Sequence, residues 1–148
     1  MTRVVSSLHR SGMIASESSN CSIEEKHKMK FLGTGSALPK KVVSNDDLAQ
    51  VMDTSDEWIR SRTGIGMRHI AVEETTTSMA VEAAEKALAD AKISGCEIDL
   101  IIAGTISPDY IFPSLACEVQ AAIGAKSATA FDLSAGCSGF LFALATAV

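Results

Sequence analysis

The stretch DLSAGCSGF, residues 132–140, places one cysteine among residues with very small side chains. The neighbours of Cys137, at positions 134–136 and 138–139, are serine, alanine or glycine. A buried strand is predicted just before the cysteine and a helix just after it, so the chain turns sharply here. Such a turn brings backbone against backbone, and the flanking side chains must therefore be small.

This pattern resembles a nucleophile elbow, written here as G-C-x-G instead of G-x-S-x-G. The start of the following helix places partial positive charge near the thiol and favours the thiolate. Backbone N–H groups at the same place are suited to bind a developing oxyanion. The alternative is a structural cysteine in a small-residue turn, since cysteine is often buried. The sharp turn, the helix start and the small residues on both sides favour the nucleophile.

Strands and helices alternate along the chain, which predicts an α/β fold with a mostly parallel sheet covered by helices. Strands are predicted in KFLGTGSALP, GMRHIAV, IDLIIAGTIS and ATAFDLS, and helices in SNDDLAQVM, TSDEWIRSRTG, SMAVEAAEKALADAKISG, SLACEVQAAIGA and CSGFLFALATAV. The last helix is apolar all round, which predicts burial on every side. Because it also lacks a stop signal, we expect the chain to be truncated within this helix, as the first part of a longer protein.

Composition limits the possible functions. The chain has 148 residues, 47% of them hydrophobic, and a net charge of −5. It is long enough for one domain with a real core, and its acidic balance argues against nucleic-acid binding. The longest apolar run is too short to span a bilayer, so no membrane association is expected. The four cysteines show no C-x-x-C spacing, so no metal site is expected and the thiols are expected to be reduced.

The first 28 residues differ from the rest of the chain. They are rich in serine and show neither helical nor alternating hydrophobic periodicity. They are therefore interpreted as a disordered extension, or as an upstream start before Met29. The remaining residues, 29–148, are interpreted as one domain.

The predicted helix in TSDEWIRSRTG carries Trp58 and Arg62 four residues apart, on one face. An indole can stack on adenine, and a guanidinium suits phosphate. Arg60 and Arg68 are candidates to widen this basic patch. The alternative for a single tryptophan is a core anchor.

Together these stretches resemble the first half of a beta-ketoacyl-acyl-carrier-protein synthase III, in the thiolase-like superfamily. The resemblance runs from about Met29 to Val148 and rests on GTGSALP, DTSDEWIRSRTGI, RHI, FPSLACEVQAAIGA and AFDLSAGCSGF. Chalcone-synthase-like and hydroxymethylglutaryl-CoA-synthase-like enzymes share the elbow cysteine but generally lack TSDEWI. The resemblance implies a layered αβαβα architecture built from two similar halves, of which this chain holds most of the first.

The resemblance also implies an activity and its residues. Cys137 would take an acyl group from acyl-CoA, and its backbone N–H would form part of the oxyanion hole. The acyl-enzyme would then condense with malonyl-acyl carrier protein, with loss of carbon dioxide, to start fatty acid synthesis. Trp58 and Arg62 match the CoA-binding pair, with Thr54 beside them. Phe112 matches a residue that lines the partner's acyl pocket in a homodimer. A cytoplasmic enzyme with no cofactor beyond the CoA thioester is implied.

Other candidate residues and functions remain. His69 is rejected as a general base because its family counterpart is not catalytic; the catalytic histidine and asparagine come from the second half. Gly33 and Gly35 are a weak nucleotide-binding signal, since no helix opens directly after them. Two alternatives stay open: a starter-unit synthase of a polyketide-like pathway, and an inactive truncated fragment. The isolated fragment is expected to be inactive in the condensation, because the second half is missing. The acyl-chain preference is left undecided.

Overall fold

The computed structural model describes residues 29–148. The interpretation of residues 1–28 as a disordered extension or an upstream start concerns residues outside this range. The strands are β1 (Lys41–Ser44), β2 (Met67–Ile70), β3 (Leu100–Gly104) and β4 (Thr129–Leu133). The helices are α1 (Asn45–Ala49), α2 (Asp56–Thr63), α3 (Thr76–Ala91), α4 (Leu115–Ala122) and α5 (Gly139–Ala147).

The four strands form two pairs. β3 and β4 are parallel, with Ile102 opposite Phe131, as the buried strand patterns predict. β1 and β2 are antiparallel, with Val42 opposite His69. The predicted strand in KFLGTGSALP is wrong, because residues 29–39 carry no strand and pairing begins at Lys41.

The segment before β1 packs on helix α3 instead of joining a sheet. A Cβ atom on Gly35 would lie 2.0 Å from the carbonyl oxygen of Ala83, and Gly33 lies almost as close to the same helix. The backbone N–H of Thr34 donates to Oδ2 of Asp90 at 2.8 Å. The two glycines are therefore needed for close packing against a helix, which is a structural role and not a nucleotide-binding one.

The hydrophobic core lies between α3, α4 and the β3–β4 pair. The buried face of α3 consists of Ala80, Ala83, Ala84 and Ala87, and these small side chains let α4 approach closely. The core side chains are almost fully buried and are Ala80, Ala84, Ile98, Ile101, Ala103, Leu115, Ala116, Val119, Ala125 and Ala128. This core holds β4, the strand that leads to Cys137.

Hydroxyl side chains begin helices α1 and α2. Ser44 forms a capping box with Asp47 at the start of α1, and Ser55 accepts from the backbone N–H of Trp58 at the start of α2. Gly64 ends α2 in the left-handed region, with φ of 72°. Local sequence thus sets both ends of the helix that carries Trp58.

Helix α5 is less buried than its composition predicts. Gly139 and Ala143 are its buried residues, whereas Leu141 is 64% and Phe142 55% exposed. One face packs on β3 and β4, and the opposite apolar face is open in the described part of the chain. The prediction of burial on every side is therefore wrong for residues 29–148. In the same range, no helix is both long and apolar enough to cross a membrane.

Candidate active site

Cys137 lies in the predicted elbow. β4 ends at Leu133, a short 3-10 turn covers Gly136–Ser138, and α5 begins at Gly139. The cysteine is a free thiol and is exposed. The sharp strand-to-helix turn predicted from the sequence is confirmed, and it presents the thiol to solvent.

The small residues around the thiol have two structural reasons. Gly136 has φ of 51°, a conformation that residues with a side chain rarely adopt. Gly139 lies against Gly104 at the end of β3, where a Cβ on Gly104 would be 3.4 Å from the carbonyl carbon of Gly139. The first turn of α5 therefore rests directly on the β3 backbone, and bulky side chains would push the helix and its cysteine away.

Asp132 joins the elbow strand to α4. Its carboxylate accepts from the backbone N–H groups of Leu115 at 2.9 Å and Ala116 at 2.8 Å, in the first turn of that helix. A carboxylate is favourable at this positive end of the helix. The contact was not predicted, although an isolated acid in the apolar strand ATAFDLS indicates that a polar group faces it.

Phe112 lies on the loop between β3 and α4 and is highly exposed, at 89%, next to Ile111 at 98%. The loop is tied to the start of α3 by Asp109, whose carboxylate accepts from the N–H groups of Thr76 at 3.0 Å and Thr77 at 2.7 Å. An anchored loop that holds large apolar side chains in solvent is suited to contact another surface.

The carboxylates of Asp109 and Glu74 make the stability of the fold depend on pH. The backbone hydrogen bond from Thr77 is the largest of the causes that lower the pKa of Asp109 to about 2. The backbone hydrogen bond from Lys40 is the largest of those that lower the pKa of Glu74 to about 2. The ordinary values are 3.8 and 4.5, so these groups stabilise the fold above those values, and the contribution is lost as pH falls toward 2. We expect the urea midpoint to drop between pH 5 and pH 2, and to drop less in an Asp109→Asn variant. A midpoint that stays constant over this range would contradict the expectation.

Trp58 and Arg62 lie in contact on the outer face of α2. The guanidinium carbon of Arg62 is 4.5 Å from the centroid of the Trp58 ring, a cation–π contact. Trp58 is 54% exposed, whereas a core anchor would be buried. One indole face is covered by Arg62, so a purine would stack on the other face or displace the guanidinium. Thr54 lies just before the capping residue Ser55 and is partly buried.

Arg60 and Arg68 are both held by hydrogen bonds within the fold. Both Nε and Nη2 of Arg60 donate to Asp56 at 3.1 Å, and this contact, followed by one from Asn45, lowers the pKa of Asp56. Arg68 donates to Oδ1 of Asn45 and, at 3.3 Å, to the carbonyl of Ser44. Arg60 is paired with an acid, whereas both partners of Arg68 are uncharged, so the wider basic patch stays a prediction.

The candidate residues divide between two regions. Trp58 and Arg62 lie on α2, which packs on α1, whereas Cys137 precedes α5, which packs on β3 and β4. His69 is in β2, with Nδ1 2.5 Å from the carbonyl oxygen of Pro39. Within residues 29–148 no group of three or more histidine, cysteine or acidic side chains is arranged to hold a metal ion.

The chain is similar in sequence to curated proteins of known name. Over 110 residues the chain is 63% identical to the beta-ketoacyl-[acyl-carrier-protein] synthase III of Streptococcus suis. The matched segment is therefore similar to part of a beta-ketoacyl-acyl-carrier-protein synthase III, and it is called the synthase III segment below. The match covers 74% of the chain and 34% of the relative, so the chain spans about a third of the length of the curated relatives it matches. No family model matches the chain.

Solved structures agree with this assignment. The synthase III segment is 56% identical to 3-oxoacyl-[acyl-carrier-protein] synthase III from Aquifex aeolicus, with a TM-score of 0.76, over 78% of this chain and 38% of that one. It is 40% identical to the priming beta-ketosynthase of the R1128 polyketide pathway, with a TM-score of 0.76, over 80% of this chain and 36% of that one. The segment therefore has part of a thiolase-like α/β fold.

Proposed function

We propose that the synthase III segment carries the acyl-accepting nucleophile of a decarboxylating condensing enzyme. Cys137 takes an acyl group from acyl-CoA, and the acyl-enzyme condenses with malonyl-acyl carrier protein to give 3-oxoacyl-acyl carrier protein. The observation that carries this proposal is an exposed free thiol in a strand-to-helix elbow, in a chain that is 63% identical over 110 residues to a synthase III.

Acylation exchanges one thioester for another. The sulfur of Cys137 attacks the thioester carbonyl, the carbon–sulfur bond to CoA breaks, and the CoA thiolate leaves and takes up a proton. The glycines on either side leave room for the carbonyl to approach, and the first turn of α5 is suited to supply N–H donors for the oxyanion. No oxidant, reductant or external energy source is needed for this step.

The remaining roles follow from the resemblance. We propose that Trp58 and Arg62 bind the nucleotide of CoA, with Thr54 beside them, and that Phe112 lines the acyl pocket of a second copy in a homodimer. Their exposure and the Trp58–Arg62 contact support these roles. In the condensation, the malonyl group loses carbon dioxide and the resulting enolate attacks the acyl-cysteine. A cytoplasmic enzyme without a resident cofactor belongs to the same proposal.

The test is direct labelling of the cysteine. After incubation with radiolabelled acetyl-CoA, about one acetyl group per chain is expected on the peptide that contains Cys137. Cys96 is also exposed but lies outside the elbow, so it is an internal control for nonspecific thiol exchange in the same digest. Absence of label on Cys137, or equal label on both cysteines, would refute the proposal.

A second candidate keeps the chemistry and changes the primer. The 40% identity to a priming ketosynthase of a polyketide pathway favours a starter-unit synthase as the alternative. Competition between several acyl-CoA primers for Cys137 distinguishes the two: preference for acetyl or branched short chains supports fatty acid synthesis, and preference for an unusual starter supports the alternative.

A further inference from the structure

Asn45 is a buried polar residue at the start of α1, with 1% of its surface exposed. Its side-chain Nδ2 donates to Oδ1 of Asp56 at 2.7 Å and to the carbonyl of Ile65 at 2.8 Å. Its Oδ1 accepts from Nη2 of Arg68. The buried amide is therefore fully engaged, as a buried polar group must be.

The two groups that accept from Asn45 lie at opposite ends of α2. Asp56 is the first residue of this helix, and Ile65 follows Gly64, which ends it. The backbone N–H of Asn45 also donates to the carbonyl of Gly66 at 3.2 Å. One residue outside the helix thus holds the beginning of α2 and the chain just beyond its end.

Apolar packing contributes little to the position of α2. None of the residues of this helix, 56–63, is buried. Arg60 adds a bidentate contact to Asp56 from within the helix, and its guanidinium lies against Gly66, where a Cβ would be 2.4 Å from Nη2. Because no large side chain anchors α2 in the core, its orientation depends on these polar contacts.

We propose that Asn45 is a positioning residue for CoA binding, because its side-chain amide sets the orientation of α2 and hence of Trp58 and Arg62. This inference rests on the proposed function, which assigns the nucleotide to these two residues. Asn45 itself is buried and does not touch the ligand. It acts by holding in place, before the ligand arrives, a helix that presents the indole on its outer face.

The test is the Asn45→Asp variant. It keeps the size of the side chain, removes both donors, and places a carboxylate against Asp56 and the carbonyl of Ile65. Trp58 is the one tryptophan of the chain, so quenching of its fluorescence by CoA gives a dissociation constant without an activity assay. We expect CoA binding to weaken at least about tenfold, equivalent to about 1.4 kcal/mol. In acylation assays we expect KM to rise and kcat to stay within about twofold.

Gln120→Glu is the matched control. Gln120 also uses a side-chain amide to donate to two carbonyls, those of Ala125 at 3.2 Å and Ala128 at 2.6 Å, but it lies on α4. Replacing this amide by a carboxylate is expected to lower the stability of the fold. The dissociation constant for CoA is expected to stay within about twofold of that of the unsubstituted chain. Equal weakening in both variants would mean that general destabilisation is the cause, and would overturn the inference.

The outcomes separate this inference from the proposed function. If CoA quenches Trp58 in the unsubstituted chain and binds Asn45→Asp equally well, the inference is wrong and the proposed function stands. If CoA does not affect Trp58 fluorescence in the unsubstituted chain, the assigned nucleotide site is wrong. Should Asn45→Asp fail to fold, Asp56→Ala is the second test, because it removes one of the groups that accept from Asn45 and the residue is partly exposed. Weakening of CoA binding by at least about threefold supports the inference. Unchanged CoA binding overturns it.

Discussion

The Cys137→Ala variant is expected to accept no acyl group from acyl-CoA, whereas the unsubstituted chain accepts about one. Alanine fits the elbow without strain, since the methyl group is smaller than the thiol and the turn depends on Gly136 and Gly139. The fold and the nucleotide site are therefore expected to survive, and the loss reflects the missing nucleophile. Intact-protein mass spectrometry after incubation with acetyl-CoA measures the number of acyl groups per chain.

Cys96→Ala is the control for the cysteine. Cys96 is exposed and lies in a 3-10 turn, with Ser94 Oγ 2.9 Å from its sulfur, but no helix of the elbow type begins after it. We expect this variant to be acylated as fully as the unsubstituted chain. Acylation of Cys137→Ala at the normal level would show that another group is the acceptor.

The Gly95→Ala variant is expected to lower the free energy of unfolding by about 2 kcal/mol or more. A Cβ at this buried position would lie 1.9 Å from the carbonyl oxygen of Ile123, which is backbone and cannot rotate away. Overpacking typically costs about 1–3 kcal/mol, and the unfolded-state gain from replacing glycine offsets only about 0.4–1 kcal/mol. The segment is also held on both sides, by α3 before it and by the core residue Ile98 after it. Urea unfolding followed by circular dichroism measures the change.

Gly104→Ala is a suitable control variant for Gly95→Ala. Its Cβ would make an ordinary contact, 3.4 Å from the carbonyl carbon of Gly139, and its φ is compatible with other residues. We expect a change below about 1 kcal/mol. If Gly95→Ala were as stable as Gly104→Ala, the close approach of the two backbones near Ile123 would not be what requires glycine at position 95.

The parts of the fold that follow from neighbouring residues were predictable. Ser44, Ser55 and Gly64 act within one helical turn of the groups they bond, so their identity is enough to place helix ends. The alanines of α3 repeat at helical spacing, which is typical of one buried helix face. The elbow at Cys137 was predictable because small residues between an apolar strand and an apolar helix are typical of a sharp turn with close backbone packing.

The errors arose where local pattern and tertiary packing disagree. KFLGTGSALP has the composition of a strand, but its glycines lie against the backbone of α3 and no strand pairs with it in residues 29–148. The apolar composition of α5 predicted burial on every side, yet burial depends on which surfaces are present to cover a helix. The hydrogen-bond partners of Arg60 and Arg68 were not predicted, because charge alone does not reveal which groups elsewhere in the chain a guanidinium will contact.

Sequence alone predicted the resemblance to a synthase III, the elbow and the candidate residues for the proposed chemistry, because these depend on residue type and short spacing. Tertiary structure decided how the candidate residues are held. The Asn45 amide reaches partners 11, 20 and 23 residues away, and Asp132 caps a helix that begins 17 residues before it. Such contacts join residues that are distant in the sequence and meet only in the folded chain, so local hydrophobic periodicity does not reveal them.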